Sequence, residues 1–321
     1  MNIDQIDKCI EELIHIIEVE KGTISNKRLV EICSKIGNIT SGEINPHFYH
    51  ELIETALNAL IKRKYSRPLL NSHNPVKELK EILTPMTEKL PTQTWRSNEQ
   101  IKWQQFSTPP GIAYLLAYLL NFKTGQQVLE PSAGTGNLAI WSSGFGLTTY
   151  TNEIDFRRRE LLFKLGLMPT AFNAEFIHDF LPNEIEPDCI LMNPPFSANG
   201  GRTANNSSKF GFRHVESALE RLKNGGKFGI ILGNSAGLDT RTGKQFWQKL
   251  SNRIRIKAII KIAGREYSKN GTRVDVNVII GTKYQTQENG CKWSKNAIKS
   301  ISVRSVEEAF ALTQELNLRL D

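Results

Sequence analysis

The chain has 321 residues, 39% hydrophobic and 23% charged, an ordinary globular composition that excludes disordered and fibrous classes. No apolar run approaches the ~20 residues that span a bilayer, and the longest candidate, Ile112 to Leu120, has the length of a buried helix. The formal net charge is +8. It is unevenly spread: residues 1–95 carry 12 Lys and Arg against 13 Asp and Glu, residues 96–200 carry 7 against 10, and residues 201–321 carry 22 against 10. The segment charges are therefore −1, −3 and +12. A basic last third points to a polyanionic partner, most often nucleic acid, with a solvated basic face as the bland alternative. The start, Met1-Asn2-Ile3-Asp4, has no basic cluster ahead of an apolar stretch, so a secretory signal is not expected. Cys9, Cys33, Cys189 and Cys291 form no CxxC pair. That spacing predicts neither a zinc site nor a disulfide framework, and suits a cytoplasmic protein.

The first ninety residues read as helices. Ile3, Ile6, Ile10, Leu13, Ile14 and Ile17 recur at helical spacing, and Ser25 or Asn26 can cap a second helix closed by Gly37. A third is expected from about Pro46 to Lys64, with Leu52, Ala56, Leu57, Leu60 and Ile61 on one stripe. With a net charge near zero, this bundle reads as a scaffold or partner-docking module rather than a DNA reader. Pro68, Pro75, Pro85 and Pro91 make residues 65–94 look like an extended connector with one short helix.

From Gln126 the rhythm becomes strand, loop, helix. Strands are expected at Gln126–Glu130, Thr148–Glu153, Phe176–His178, Cys189–Asn193, Phe228–Leu232, Ile256–Ile262 and Val276–Ile280. Helices fall between them at Asn137–Ser142, Phe156–Lys164, Val215–Leu222 and Lys244–Leu250. This alternation predicts an α/β fold: a doubly wound, mainly parallel seven-stranded sheet with an N-terminal helical domain. The expected division is residues 1–95, helical domain and connector; residues 96–285, sheet domain; and residues 286–321, a short tail with one helix around Val306–Leu316.

Two motifs carry chemistry. Val128-Leu129-Glu130-Pro131-Ser132-Ala133-Gly134-Thr135-Gly136-Asn137 joins a strand to a helix through a Gly-rich turn. Gly134 and Gly136 admit a close ligand, the helix start offers N–H groups, and Glu153 at the next strand end can accept ribose hydroxyls. That pair suits a dinucleotide and S-adenosylmethionine equally. The second motif, Met192-Asn193-Pro194-Pro195-Phe196, ends the fourth strand. An Asn side-chain oxygen and a proline-fixed carbonyl give two acceptors for one –NH2 group, and Phe196 can stack on the ring that carries the amine. A strand-ending turn with a core Phe is the bland reading. His178 reads as packed or solvated rather than catalytic, and His214, after the loop, could touch a phosphate, with the bland reading favoured. A metal is not expected at either motif.

EPSAGTGN followed by NPPF resembles the class I S-adenosylmethionine-dependent methyltransferases that modify N6 of adenine in DNA. Gln105-Phe106-Ser107-Thr108-Pro109-Pro110 ahead of the Gly-rich turn is similar to their gamma-type motif order, over roughly residues 104–284. Leu90-Pro91-Thr92-Gln93-Thr94-Trp95-Arg96-Ser97 is similar to methylase modules associated with strawberry-notch helicases, and Phe196 resembles type I restriction modification subunits, where relatives acting on DNA alone often have Tyr. The resemblance implies S-adenosyl-L-methionine as cofactor, bordered by Phe106, Thr108, Glu130, Ser132, Gly134 and Gly136. Thr108 is expected to cap the following helix, and Glu153 to hold the ribose. Asp179 would accept from the adenine amine with Phe180 against its ring, while Asn193, Pro194, Pro195 and Phe196 would hold a flipped target base. Implied partners are DNA along residues 201–321 and a helicase or specificity subunit on residues 1–95. The rivals are methylation of a protein glutamine, methylation of an RNA base, and a non-catalytic DNA-binding subunit. The loop Ser197–Gly211 is expected to be mobile and to close over the base. With few residues after Tyr284 to read a groove, the chain is expected to bind DNA weakly and to take sequence choice from a partner.

Overall fold

The computed structural model describes residues 1–40, 43–93, 107–195, 209–284 and 298–321. Its first helix, Ile3–Val19, opens with Asn2 and Gln5 reciprocally hydrogen-bonded to each other's backbone N–H, a capping arrangement that satisfies two otherwise orphaned donors. The second, Asn26–Gly37, is capped by Ser25 as expected, but Asn38 rather than Gly37 takes the left-handed closing conformation at φ 51°. Cys9 and Cys33 meet between these helices as free buried thiols, sulfurs 3.2 Å apart.

Residues 65–94 depart most from expectation. Among the described residues of this stretch, three short helices, Ser66–Leu70, Pro75–Glu78 and Thr84–Lys89, replace the extended connector. The third helix, Pro46–Leu60, runs into the first of them through a π turn at Ile61–Tyr65, and a second π turn at Leu79–Leu83 joins the other two. Pro75 stands in a first helical turn, where a missing N–H costs nothing. Pro68 and Pro85 each follow a π turn, whose wider ring relieves the clash of a proline with the preceding carbonyl. Prolines here mark register changes inside helix, not its end.

The sheet has eight strands among the described residues: β1 Gln127–Glu130, β2 Thr148–Asn152, β3 Pro169–Thr170, β4 Cys189–Met192, β5 Lys227–Gly233, β6 Ile254–Ile262, β7 Val276–Lys283 and β8 Lys299–Val303. Their order is β3-β2-β1-β4-β5-β7-β6-β8. All pairs are parallel except the two made by β7. The order in which strands are laid down reverses between the parallel β1 and β4, so the loops after both strands open on one crevice at their carboxyl ends.

One expected strand is misplaced and one strand was not expected. Phe176–His178 is not a strand: Asn173 caps a tight turn at Ala174–Phe176 that continues into a short helix, Ile177–Phe180. The third strand is the two-residue Pro169–Thr170, too short to leave a pattern. The eighth, Lys299–Val303, alternates polar residues on an exposed edge beside β6, so the last residues are part of the sheet and not only a helical tail. The final helix, Val306–Glu315, lies where expected.

Alternate strand residues feed two cores. Val128, Leu191, Ile231, Ile260 and Val278 face the helix Pro110–Leu120 and the N-terminal helices. Leu129, Ile190, Ile230, Ile259 and Ile279 face the helices Lys209–Arg221 and Arg241–Leu250. The first core is continuous with the bundle, reaching Cys9, Leu13 and Ile17 of the first helix. The bundle also docks on the helix after β1, Ala139–Phe145, where the Ser66 hydroxyl donates to the Ile140 carbonyl at 3.0 Å. Gly144 makes this approach close: a Cβ there would lie 2.6 Å from Ser66 and 2.9 Å from the Lys62 carbonyl oxygen. Alanine normally favours a helix over glycine, but overpacking opposes it here. Gly144→Ala should lower stability by about 1–3 kcal/mol in urea unfolding. A midpoint that stays or rises would contradict the close contact.

Candidate functional site

The turn after β1 places its glycines differently. Gly134, at φ +56°, has among the described residues, its chain neighbours aside, no atom within 4 Å of where a Cβ would stand, which leaves this side of the turn room for a ligand. Gly136, at φ +92°, would press a Cβ to 2.8 Å from Leu165 and 3.1 Å from Leu162. That side of Gly136 packs the turn against the helix Phe156–Lys164 and the residues that follow it. Both φ values lie in the left-handed region that favours glycine.

Glu153, just past β2, accepts the Gly134 N–H on Oε2 at 2.7 Å and the Asp155 N–H on Oε1 at 2.9 Å. Each carboxylate oxygen retains a second lone-pair direction for an outside donor. Burial pushes its pKa up, against the pull of nearby Arg158. Glu130 ends β1 almost wholly buried, and its Oε2 has no hydrogen-bond partner among the described residues. Burial raises its pKa well above the ordinary carboxylate value, while the Ala139 N–H holds it down. Ser132 lies 3.5 Å from Nδ1 of the buried His214.

Asn193 follows β4 directly. Its amide nitrogen donates to the Thr108 hydroxyl at 2.9 Å, which joins the Thr-Pro-Pro segment to the Asn-Pro-Pro element in space. Thr108 therefore does not cap the next helix: Pro109 is the cap residue, Pro110 the first helical one, and no side chain bonds the helix start. Pro194 is buried and Pro195 half-buried. Phe106, Phe196 and most of Ser197–Gly211 lie outside the described residues.

Asp179 and Phe180 sit on the short helix Ile177–Phe180, both exposed. Phe180 stacks on Phe172, with centroids 5.4 Å apart, and Phe172 is held beside β2 by both polar atoms of Asn152. Ile154, next to Glu153, is 61% exposed. An exposed aliphatic beside a carboxylate that can hold a ribose is a fitting rest for a purine ring, a residue the sequence reading passed over. His178 is structural: Nδ1 is 2.7 Å from the Ser217 hydroxyl, and Nε2 is 3.4 Å from Asp179.

The larger omission lies in the bundle. Glu51, Glu54 and Asn58 form a polar stripe along the helix Pro46–Leu60, Glu51 and Asn58 buried and Glu54 half-buried, and point into the site wall. Glu51 binds Arg157 and Arg158 at 2.6 and 3.1 Å. Glu54 accepts from Ser107 at 2.9 Å, Thr135 at 2.8 Å and Asn137 at 2.8 Å. Asn58 donates to the Thr135 carbonyl and to the Asn137 side-chain oxygen. The i, i+3, i+7 spacing was visible in the sequence, but the neighbouring apolar stripe masked it.

A family model described as the methyltransferase small domain matches residues 110–252. The chain is 24% identical over 144 residues to the tRNA (guanine(10)-N2)-dimethyltransferase of Methanothermobacter thermautotrophicus, covering 44% of this chain and 43% of that protein. The match thus spans less than half of that relative's length. In structure, a protein of Listeria monocytogenes described as a class I S-adenosylmethionine-dependent methyltransferase superposes with a TM-score of 0.58 at 15% identity, covering 98% of this chain and 100% of that one. The methyltransferase subunit of the type I restriction-modification system of Streptococcus thermophilus superposes with a TM-score of 0.50 at 16% identity, covering 92% and 74%. These likenesses establish the Rossmann-like methyltransferase fold.

Fold and family model together imply S-adenosyl-L-methionine as the cofactor. The residues fit it: Glu130 offers a buried carboxylate oxygen for an ammonium group, Gly134 an open backbone surface, and Glu153 remaining acceptor capacity for a ribose. Glu153→Ala should weaken S-adenosyl-L-homocysteine by about 1–3 kcal/mol in calorimetry. Unchanged affinity in a folded variant would remove Glu153 from the site.

Burial also lowers the pKa of His214, and of His50 in the bundle, to about 4, helped by Arg213 and His47 respectively. Between the ordinary imidazole value of 6.5 and about 4, the unfolded chain takes up protons that the fold refuses, so both rings destabilise the fold as pH drops through that window. Ring 15N shifts should show both imidazoles neutral at about pH 5. A charged ring there would contradict their burial.

Proposed function

We propose that this chain transfers a methyl group from S-adenosyl-L-methionine to the exocyclic N6 amine of adenine in DNA. The observation that carries the reading is Asn193, fixed by Thr108 at the carboxyl end of β4 and followed at once by two prolines. With its NH2 donated to Thr108, the Asn193 amide presents its carbonyl oxygen as an acceptor. Pro194 has no N–H and a locked φ, so its carbonyl is a second, stiff acceptor. Two acceptors on one –NH2 draw both hydrogens, turn the nitrogen lone pair away from the ring and leave it ready to attack.

When bound, the cofactor supplies an electrophilic methyl on a positively charged sulfur. Thr108, Glu130, Ser132 and Gly134 would hold its amino-acid end, with Phe106 beside them, and Glu153 its ribose. Asp179, Phe180 and Ile154 would take its adenine. Gly136 contributes the shape of the turn. The target base would stack on Phe196. The basic residues 201–321 would hold DNA phosphates, which carry affinity but little sequence information. Sequence choice would then come from a partner such as a specificity subunit.

A second reading is supported by the name of the tRNA relative, whose target is the N2 amine of guanine. The same pair of acceptors suits that amine, on RNA instead of DNA. Transfer from tritiated cofactor to plasmid DNA, tRNA and protein in parallel, followed by nucleoside analysis, separates the two. N6-methyldeoxyadenosine is expected. Label confined to RNA as N2-methylguanosine would overturn the DNA reading, and label in protein would overturn both. In the active assay, Asn193→Ala should cost on the order of 10²–10³ in rate with cofactor affinity kept. Near-normal transfer by that variant would refute the amine trap.

A further inference from the structure

Glu54 is a carboxylate without a salt bridge among the described residues, half-buried between the N-terminal helices and the sheet. Burial without a counter-ion is costly, and such groups persist where hydrogen bonds offset the loss of water. The three donors that do so come from two segments only. Ser107 adjoins Thr108, while Thr135 and Asn137 flank Gly136 in the turn after β1. Asn137 gives its amide hydrogens to Glu54 Oε1 and, at 2.7 Å, to the Thr108 carbonyl, while its own oxygen accepts from Asn58. Thr108 in turn receives the Asn193 amide. A continuous chain of bonds therefore runs Glu54, Asn137, Thr108, Asn193.

We propose that Glu54 is a positioning residue of the active site: from the N-terminal bundle it sets the turn that borders the cofactor and, through Asn137 and Thr108, the Asn193 amide. The inference rests on the cofactor reading above. It makes the bundle part of the catalytic unit, beyond a scaffold or docking module. Mere adhesion of the bundle would be served equally by bonds remote from the site, such as that from Ser66 to Ile140.

The test titrates S-adenosyl-L-homocysteine into the full chain by calorimetry, with thermal unfolding in parallel. Glu54→Ala should weaken binding roughly tenfold or more. Ser66→Ala, which loosens the same interface away from the site, should bind as the unaltered chain does. Glu54→Gln, which keeps a carbonyl acceptor for Asn137 and lets the Ser107 and Thr135 hydroxyls turn to accept, should regain most of the affinity. Should Glu54→Ala not fold, Glu54→Met replaces it, keeping the side-chain length without an acceptor. Affinity lost with Met and kept with Gln supports the proposal. Equal affinity in the two, or a loss in Ser66→Ala matching that of Glu54→Ala, overturns it. An unaltered chain that binds no S-adenosyl-L-homocysteine overturns the cofactor reading instead, a result seen before any variant is made.

Discussion

One hydrogen bond, from the Asn193 amide to the Thr108 hydroxyl, holds the site together. It links the loop after β4 to the segment before the helix Pro110–Leu120, two pieces 85 positions apart in the chain. The sheet makes it available: β1 and β4 are parallel neighbours, so the cofactor turn and the Asn-Pro-Pro element emerge side by side at the same edge. Thr108 stands over that edge because its helix packs on the sheet with Ile112, Leu115, Leu116 and Leu119 fully buried. Asn193 is thus not a lone side chain in a loop. Its orientation is inherited from sheet order, helix packing and the bond to the Thr108 hydroxyl.

Around that bond the site concentrates carboxyls. Glu54, Glu130 and Glu153 come from three different elements, and burial raises the pKa of each. They are handled differently. Glu54 is satisfied by neutral donors, and Glu153 by two backbone N–H groups with Arg158 nearby. Glu130 leaves one oxygen without a partner among the described residues. Perturbed carboxyls in a cleft are a mark of function. A cationic ligand would find compensation here that the protein itself withholds, which suits a cofactor bearing an ammonium and a sulfonium. Glu51 keeps Arg158 in place, so the bundle also tunes the field felt by Glu153.

Much of this was legible in the sequence. The β1 and β4 motifs, the helix Phe156–Lys164 and the mainly parallel sheet follow from period and turn chemistry, because central strands buried on both faces read as apolar runs. What escaped was short, edge-bound or tertiary. β3 has two residues, β8 has a polar exposed face, and the helical residues 66–89 hid behind prolines that π turns accommodate. Thr108 looked like a cap because Thr-Pro-Pro fits a helix start. Its actual partner lies far along the chain and could not be read locally. Glu54 was hidden most completely, since a carboxylate at helical spacing on a mixed face is ordinarily solvated. Only the docking of the bundle turns it inward.

The most direct measurement is a crystal structure of the full chain with S-adenosyl-L-homocysteine. The ligand is expected at the carboxyl edge of β1 and β2, its ribose hydroxyls within hydrogen-bond distance of Glu153. Its amino-acid end is expected between Glu130 and Thr108, and the Gly134 backbone against it with no side chain between. Asn193 should keep its bond to Thr108, with its carbonyl oxygen beside the position from which a methyl group would leave. A ligand bound elsewhere on the chain, or one in the crevice with Glu153 and Thr108 turned away from it, would contradict the account.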